Sequence, residues 1–210
     1  MVTFASREAA GQLLGQELMA RGIRPDLVLG LPRGGVVVAA EVARGLEQPL
    51  GVLVVRKIGH PRQREFAIGA LAEHDVVLLD EEAMHQSGVA KTELDGVIAE
   101  ETQRLRDYKA RFHHVGDMVL AGKCVLIVDD GLATGATAVA AVMSAKKQKA
   151  REVILAVPVA SVEAMERVRR LADTAIALTV DPDFEAVGQY YDFFPQTTDE
   201  QVLALLHHHA

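Results

Sequence analysis

One cysteine, no tryptophan and no apolar run near the roughly 20 residues of a membrane span set the first limits on this 210-residue chain. With Cys124 alone, an intramolecular disulfide, a redox pair and a four-thiol zinc knot are all excluded, and a reducing, cytoplasmic compartment is expected. The N-terminus, MVTFASREAAGQLLGQELMARG, scatters Arg7, Glu8 and Glu17 among apolar residues and lacks the charged-then-apolar order of a signal peptide. Basic residues are also scarce: 22 Lys and Arg face 29 Asp and Glu, a net charge of −7 that weighs against broad nucleic-acid binding. A local basic pocket remains compatible with that balance. Half the residues are hydrophobic and 24% are charged, too apolar for a disordered chain. The length suits a single domain over residues 1–210.

Apolar periodicity predicts a surface helix from Ala5 to Arg21, stopped by Gly22. A strand from Leu27 to Leu31, a Pro/Gly turn, a helix from Val36 to Leu46 and a strand from Leu50 to Val55 then form a βαβ pattern. Phe66–Leu71 and Val76–Leu79 read as a hairpin, and Lys91–Phe112 as a long polar helix. Alternation resumes with strands at Cys124–Val128, Val153–Val157 and Ala175–Val180 and helices at Ala136–Lys149 and Val162–Leu171. The pattern predicts an α/β fold, a parallel sheet flanked by helices, with ligands bound beyond the carboxyl ends of its strands. The core is expected over about 5–180, including an inserted hairpin and long helix over about 60–115, with a tail over 181–210.

The most informative segment is VLIVDDGLATGATAVAAV. A buried strand, Val125–Val128, delivers Asp129 and Asp130 to its carboxyl end, where carboxylates can accept hydrogen bonds from vicinal hydroxyls. Thr134, Gly135, Ala136 and Thr137 then open a helix whose unpaired N–H groups and positive dipole end attract phosphate. The Gly-Lys-Ser/Thr ending of a nucleoside-triphosphate loop and the Gly-x-Gly-x-x-Gly of a dinucleotide turn are both missing. The bland alternative, in which Asp130 caps a helix and Gly135 permits a turn, does not require strand, acid pair and Thr-Gly-x-Thr to occur together.

Over Val125 to Val139 this string resembles the type I phosphoribosyltransferases, and the chain's length, LPRGGVVVA and VVRKIG resemble poorly characterised bacterial stand-alone members of that family. The resemblance implies a Rossmann-like parallel-sheet core with a small hairpin and helix insertion and a C-terminal hood. It implies that Asp129 and Asp130 hold ribose hydroxyls and that Ala133 to Thr137 cradle the 5-phosphate of phosphoribosyl pyrophosphate. Magnesium is the implied cofactor, bridging diphosphate and ribose oxygens, with no metal ligand assigned to the protein.

Two segments qualify for the pyrophosphate side. In LPRGG, Gly34 and Gly35 let the backbone approach an anion and Arg33 supplies a forked cation. The family resemblance implies a pyrophosphate loop there with a non-proline cis peptide, for which Arg33–Gly34 is the candidate. In RKIGHPRQR, Arg56, Lys57, Arg62 and Arg64 occur without an acid, with Arg56 and Lys57 placed best and the other two suited to a lid. The alternative is a solvated loop.

Catalysis of this kind rests on positioning and on stabilising the leaving group, roles that fall to Arg33, Lys57 and Arg56. Members acting on 6-oxopurines carry an aspartate where this chain has Ala133, so any general base lies elsewhere; His60 and Glu65 are the candidates. Five of the nine aromatics fall between Phe184 and Phe194, and Phe184 is placed to stack on a flat base unless the cluster serves packing or a homodimer contact. Cys124, the Lys146–Lys149 cations, His113, His114 and His207 to His209 take ordinary structural readings. The expectation is a phosphoribosyltransferase of nucleotide salvage that transfers ribose 5-phosphate to a nitrogenous base, with no nucleic-acid or membrane partner. Its rival is a non-catalytic sensor of phosphoribosyl pyrophosphate or a nucleotide. A diphosphokinase would need a nucleoside-triphosphate site that the sequence does not show.

Overall fold

The structure is a computed structural model that describes residues 3–64, 66–113 and 118–208. Glu65, His114 and His209, each singled out above, lie outside the described residues. Ser6 opens the first helix, α1 (Arg7–Ala20), by accepting from the Ala9 N–H, as an N-cap serine does. Helix α1 packs on α2 (Gly34–Leu46), which crosses from β1 (Leu27–Gly30) to β2 (Leu50–Val52). The same strand–helix–strand alternation links β6 (Cys124–Val128), α5 (Ala136–Lys147), β7 (Glu152–Ser161), α6 (Val162–Arg169) and β8 (Thr174–Asp181).

These five strands form a parallel sheet in the order β2-β1-β6-β7-β8. Every residue of β1 and β6 is buried, as expected for strands covered on both faces. Alternate residues separate the two cores. Leu126 and Val128 join the cluster with Leu14, Leu18 and Val38 of α1 and α2, whereas Val125 and Ile127 join Val142 of α5 and Val168 of α6.

The run expected as one strand from Leu50 to Val55 is two. After β2 the chain leaves the main sheet and starts β3 (Val55–Gly59), which pairs antiparallel with β4 (Ala67–Ala72), followed by β5 (Val76–Leu79). The buried Glu73 occupies the crossing and accepts the Val54 N–H at 2.8 Å, a donor that neither ladder uses. His113 Nε2 lies 3.0 Å from the same carboxylate, which ties the far end of the long helix to this corner. That helix, α4 (Asp95–Phe112), follows α3 (Glu81–Ser87) and a 3₁₀ turn at Lys91–Glu93. The C-terminal segment makes a 3₁₀ turn at Val187–Tyr190 and ends in α7 (Asp199–His208), which packs on α2. His207 and His208 belong to that helix. Among the described residues no helix is long and apolar enough to cross a membrane.

Candidate functional site

The direction of strand connection reverses between β1 and β6: β1 leads outward to β2, while β6 leads the opposite way through β7 to β8. In such sheets a crevice opens beyond the carboxyl ends of the two diverging strands. Pro32–Gly35 leaves β1 at that point and Asp129–Thr137 leaves β6 beside it, joined where the Leu31 N–H donates to Val128 O at 3.0 Å. A cleft of about 650 Å³ opens there.

The acid pair is set by close packing. A Cβ on Gly35 would stand 2.7 Å from Asp129 Oδ1 and 2.9 Å from Asp129 Cα, and one on Gly34 would collide with Asp130 Oδ2. The two glycines therefore bring the start of α2 flush against the acids. Asp130 donates its N–H to Asp129 Oδ1 at 2.9 Å. Desolvation, then the neighbouring Asp130 charge, pushes Asp129 well above the usual carboxylate range. Asp130 is also raised by desolvation, against the pull of Arg7.

Arg7, from the first turn of α1, is buried behind the pair. Its Nε donates to Asp130 Oδ2 at 2.7 Å, its Nη1 donates to Pro195 O at 2.7 Å, and its guanidinium lies 3.7 Å above the Phe194 ring. Phe194 stacks on Tyr191 at 4.9 Å, and the Tyr191 hydroxyl donates to Asp130 O at 2.6 Å. The aromatic tail thus supports the acids from behind. Phe184 stacks on Tyr190 at 5.3 Å and packs, half-buried, against a small core with Phe4 and Val159. Val187 is the tail residue on the cleft wall.

Beyond Asp130 the loop is hooked to β7. The Leu132 N–H donates to Val159 O and the Ser161 hydroxyl donates to Ala133 O at 2.7 Å. Gly135 takes a left-handed φ of 75° and is the N-cap of α5; it offers no capping side chain, and the Thr134 hydroxyl accepts the Ala136 N–H at a long 3.4 Å. Ala133, Thr134, Gly135 and Thr137 wall the cleft, while Ala136 begins the helix behind them.

The opposite wall carries Arg56, Lys57 and Arg64 together with Glu100, Glu101 and Arg104 of α4. Arg56 and Lys57 stand on strand β3, not in a loop. The stretch that is free of acids in sequence is not free of them in space. Arg56 Nη2 meets Glu101 at 2.9 Å, Arg64 meets Glu100 at 2.7 Å and Arg62 meets Glu93 at 3.5 Å. Lys57 alone of the four makes no ion pair among the described residues. His60 Nδ1 accepts the N–H groups of Arg62 and Gln63, which employs its ring in forming its own turn. Arg33 lies off the cleft wall with Nη1 3.7 Å from Asp199 of α7. The cis peptide is Pro32–Arg33, one bond before the expected Arg33–Gly34.

Residues 3–193 match the family model of the phosphoribosyl transferase domain. The chain belongs to the phosphoribosyltransferase family. A protein provisionally named a phosphoribosyl transferase in Mycobacterium tuberculosis is 42% identical over 207 residues, 98% of this chain and 47% of its own length. The chain therefore spans about half the length of the curated relatives it matches. The crystal structure of TT1426 from Thermus thermophilus is 43% identical, with a TM-score of 0.82 and full coverage of both chains. A purine phosphoribosyltransferase from Pyrococcus horikoshii shares the fold at 18% identity and a TM-score of 0.51, covering 94% of this chain and 96% of its own.

Within this phosphoribosyltransferase fold, sequence reasoning missed Arg7, Tyr191, Val187 and the α4 residues Glu100, Glu101 and Arg104. Arg7 was visible only as one charge on a surface helix. The one available hint for the α4 acids was their helical i, i+3 and i, i+4 spacing to Arg104, which marks a charged face but not what it meets.

Proposed function

We propose that this protein transfers ribose 5-phosphate from phosphoribosyl pyrophosphate to a nitrogenous acceptor, a nucleobase, with release of pyrophosphate. One observation carries the reading: at the β1/β6 crevice the acid pair, the glycine-capped N-terminus of α5 and the cations of β3 line a single cleft. These three groups match the three parts of the donor, a diol, a 5-phosphate and a diphosphate. In the proposal, Thr134, Gly135 and Thr137, with the N–H groups of the first turn of α5, bind the 5-phosphate, Thr134 Oγ1 giving up its long bond to the Ala136 N–H. Asp129 and Asp130 hold the ribose hydroxyls and, as negative groups beside the sugar, favour the cation-like transition state.

The bond from the anomeric carbon to the pyrophosphate oxygen breaks as one from that carbon to the acceptor nitrogen forms; the electron pair of the broken bond leaves with pyrophosphate and the proton of the nitrogen passes to solvent water. Lys57, which makes no ion pair among the described residues, would meet charge developing on pyrophosphate. Arg56 joins it by turning from Glu101, and Arg33 by leaving Asp199. Gly34 and Gly35 serve this site by admitting the acids. Among the described residues no three His, Cys, Asp or Glu converge on a possible metal position. Magnesium keeps water and substrate oxygens as ligands and is seldom caged by protein alone. Bound with the donor, magnesium would neutralise diphosphate charge, while Asp129 and Asp130 would hold the sugar hydroxyls.

The reading places the protein in the cytoplasm, in nucleotide salvage. A sensor of phosphoribosyl pyrophosphate is the second reading, favoured by Ala133 in place of an acid and by the prior pairing of Arg56 and Arg64 with glutamates. A pyrophosphate-release assay with the donor, magnesium and a panel of purines, pyrimidines, orotate and simple amines separates the two. Release dependent on one acceptor class is expected. Tight donor binding without turnover on any acceptor would favour the sensor.

A further inference from the structure

Arg7 belongs to no loop of the cleft and does not line it, yet its strongest contact is with a cleft carboxylate. Its guanidinium is fixed on three sides: Asp130 Oδ2 at 2.7 Å, Pro195 O at 2.7 Å and the Phe194 ring at 3.7 Å. Nothing larger than Gly34 fits where it passes, since a Cβ there would stand 2.7 Å from Arg7 Nε. The main chain of Asp130 is held in turn by the Tyr191 hydroxyl at 2.6 Å. With Oδ2 occupied by Arg7, Asp130 has Oδ1 left for a ligand, and its carboxylate plane is set from behind.

We infer that Arg7 is a positioning residue for the sugar: it orients Asp130 so that a single oxygen faces the ribose, and it passes the packing of the aromatic tail to the diol site. The inference rests on the phosphoribosyl-transfer reading and adds a residue outside the motif loops. A charge-assisted bond of this kind can carry about tenfold to a hundredfold in affinity when the group it orients binds the ligand. The cations near the pyrophosphate, Lys57 and Arg56, are held by other elements and do not depend on Arg7.

Calorimetry on the full chain tests this with two separate probes in magnesium buffer, ribose 5-phosphate and inorganic pyrophosphate. Arg7→Met is expected to weaken ribose 5-phosphate about tenfold to a hundredfold and pyrophosphate by less than about threefold, with Arg7→Lys recovering part of the loss. Because Arg7→Met leaves a desolvated carboxylate unpaired and can impair folding, Arg7→Met/Asp130→Asn, which removes both charges, completes a double-mutant cycle with Asp130→Asn. If Arg7 acts through Asp130, adding Arg7→Met to Asp130→Asn changes ribose 5-phosphate affinity by less than about twofold. Additive losses, or equal losses for both probes, would overturn the inference while leaving the transfer reading standing. Wild-type protein that binds neither ribose 5-phosphate nor phosphoribosyl pyrophosphate would overturn both.

Discussion

Two glycines of α2 should respond oppositely to the same substitution. Gly45 is exposed near the helix C-terminus, and a Cβ there meets nothing within 4 Å. Gly45→Ala should therefore gain the ordinary helix preference of alanine, roughly 0.5–1 kcal/mol. At Gly35 the added carbon meets Asp129 Oδ1 at 2.7 Å, Asp129 Cα at 2.9 Å and Val128 O at 3.0 Å. Two of the three are main-chain atoms of the β6 exit, so relief requires moving α2 or the acid-bearing loop. Overpacking of this kind costs about 1–3 kcal/mol, and the helix gain offsets only part of it. The expected net loss is about 1–2 kcal/mol. For a chain of this length that lowers the melting temperature by about 2–8 °C, against a rise of about 1–4 °C for Gly45→Ala. Urea and thermal melts read the stability, and donor titration reads the site. Because Asp129 must shift, Gly35→Ala should also bind phosphoribosyl pyrophosphate at least about tenfold more weakly. Equal melting shifts for the two variants, or Gly35→Ala with wild-type donor affinity, would refute the argument that close packing at Gly35 sets the acid pair.

A second prediction concerns pH. Asp129 titrates above its ordinary 3.8 in the folded protein, so between that value and its raised folded value the native state binds more protons than the unfolded chain. Its contribution to stability is thus present at low pH and declines as pH rises through the window. Asp129→Asn should be more stable than wild type at pH 7, with the advantage vanishing below about pH 3.8; denaturant titrations across pH check the sign. Cys124 is buried at the start of β6, and desolvation, assisted by Glu152, pushes its thiol up to about 11. At pH 8 only about a thousandth would be thiolate, so an alkylating reagent should label native protein at least about a hundredfold more slowly than unfolded protein. Rapid labelling of the native state would contradict that burial.

The parallel core was legible because its strands are unbroken apolar runs between turn residues; Cys124–Val128 keeps its predicted bounds. The switch from β2 to β3 was not, since Leu50–Val55 contains no Pro or polar break and its division depends on the Glu73 carboxylate, 19 positions from Val54. Helices α3 and α7 lack a long apolar stripe; α3 buries none of its side chains and α7 only Val202 and Leu206. In the site, the acid pair and its loop were legible because their residues are contiguous. Pairings made across the chain were not: Arg56 meets Glu101 from 45 positions away, and Arg7 meets Asp130 from 123. The acidic balance of the chain also takes a different form in space. A cleft with Arg56, Lys57, Arg64 and Arg104 also carries Glu100, Glu101, Asp129 and Asp130, so its formal charge is balanced before any donor enters. Under the proposed transfer, magnesium and the release of Arg56 and Arg64 from the α4 glutamates would both contribute to donor binding.

Whether Asp129 and Asp130 hold the ribose of phosphoribosyl pyrophosphate is read by titrating that donor, with magnesium, into wild type and Asp129→Asn/Asp130→Asn in a calorimeter. Saturable binding by wild type is expected, and none measurable by the double variant while it still melts cooperatively. Equal affinity in the two proteins would contradict that role.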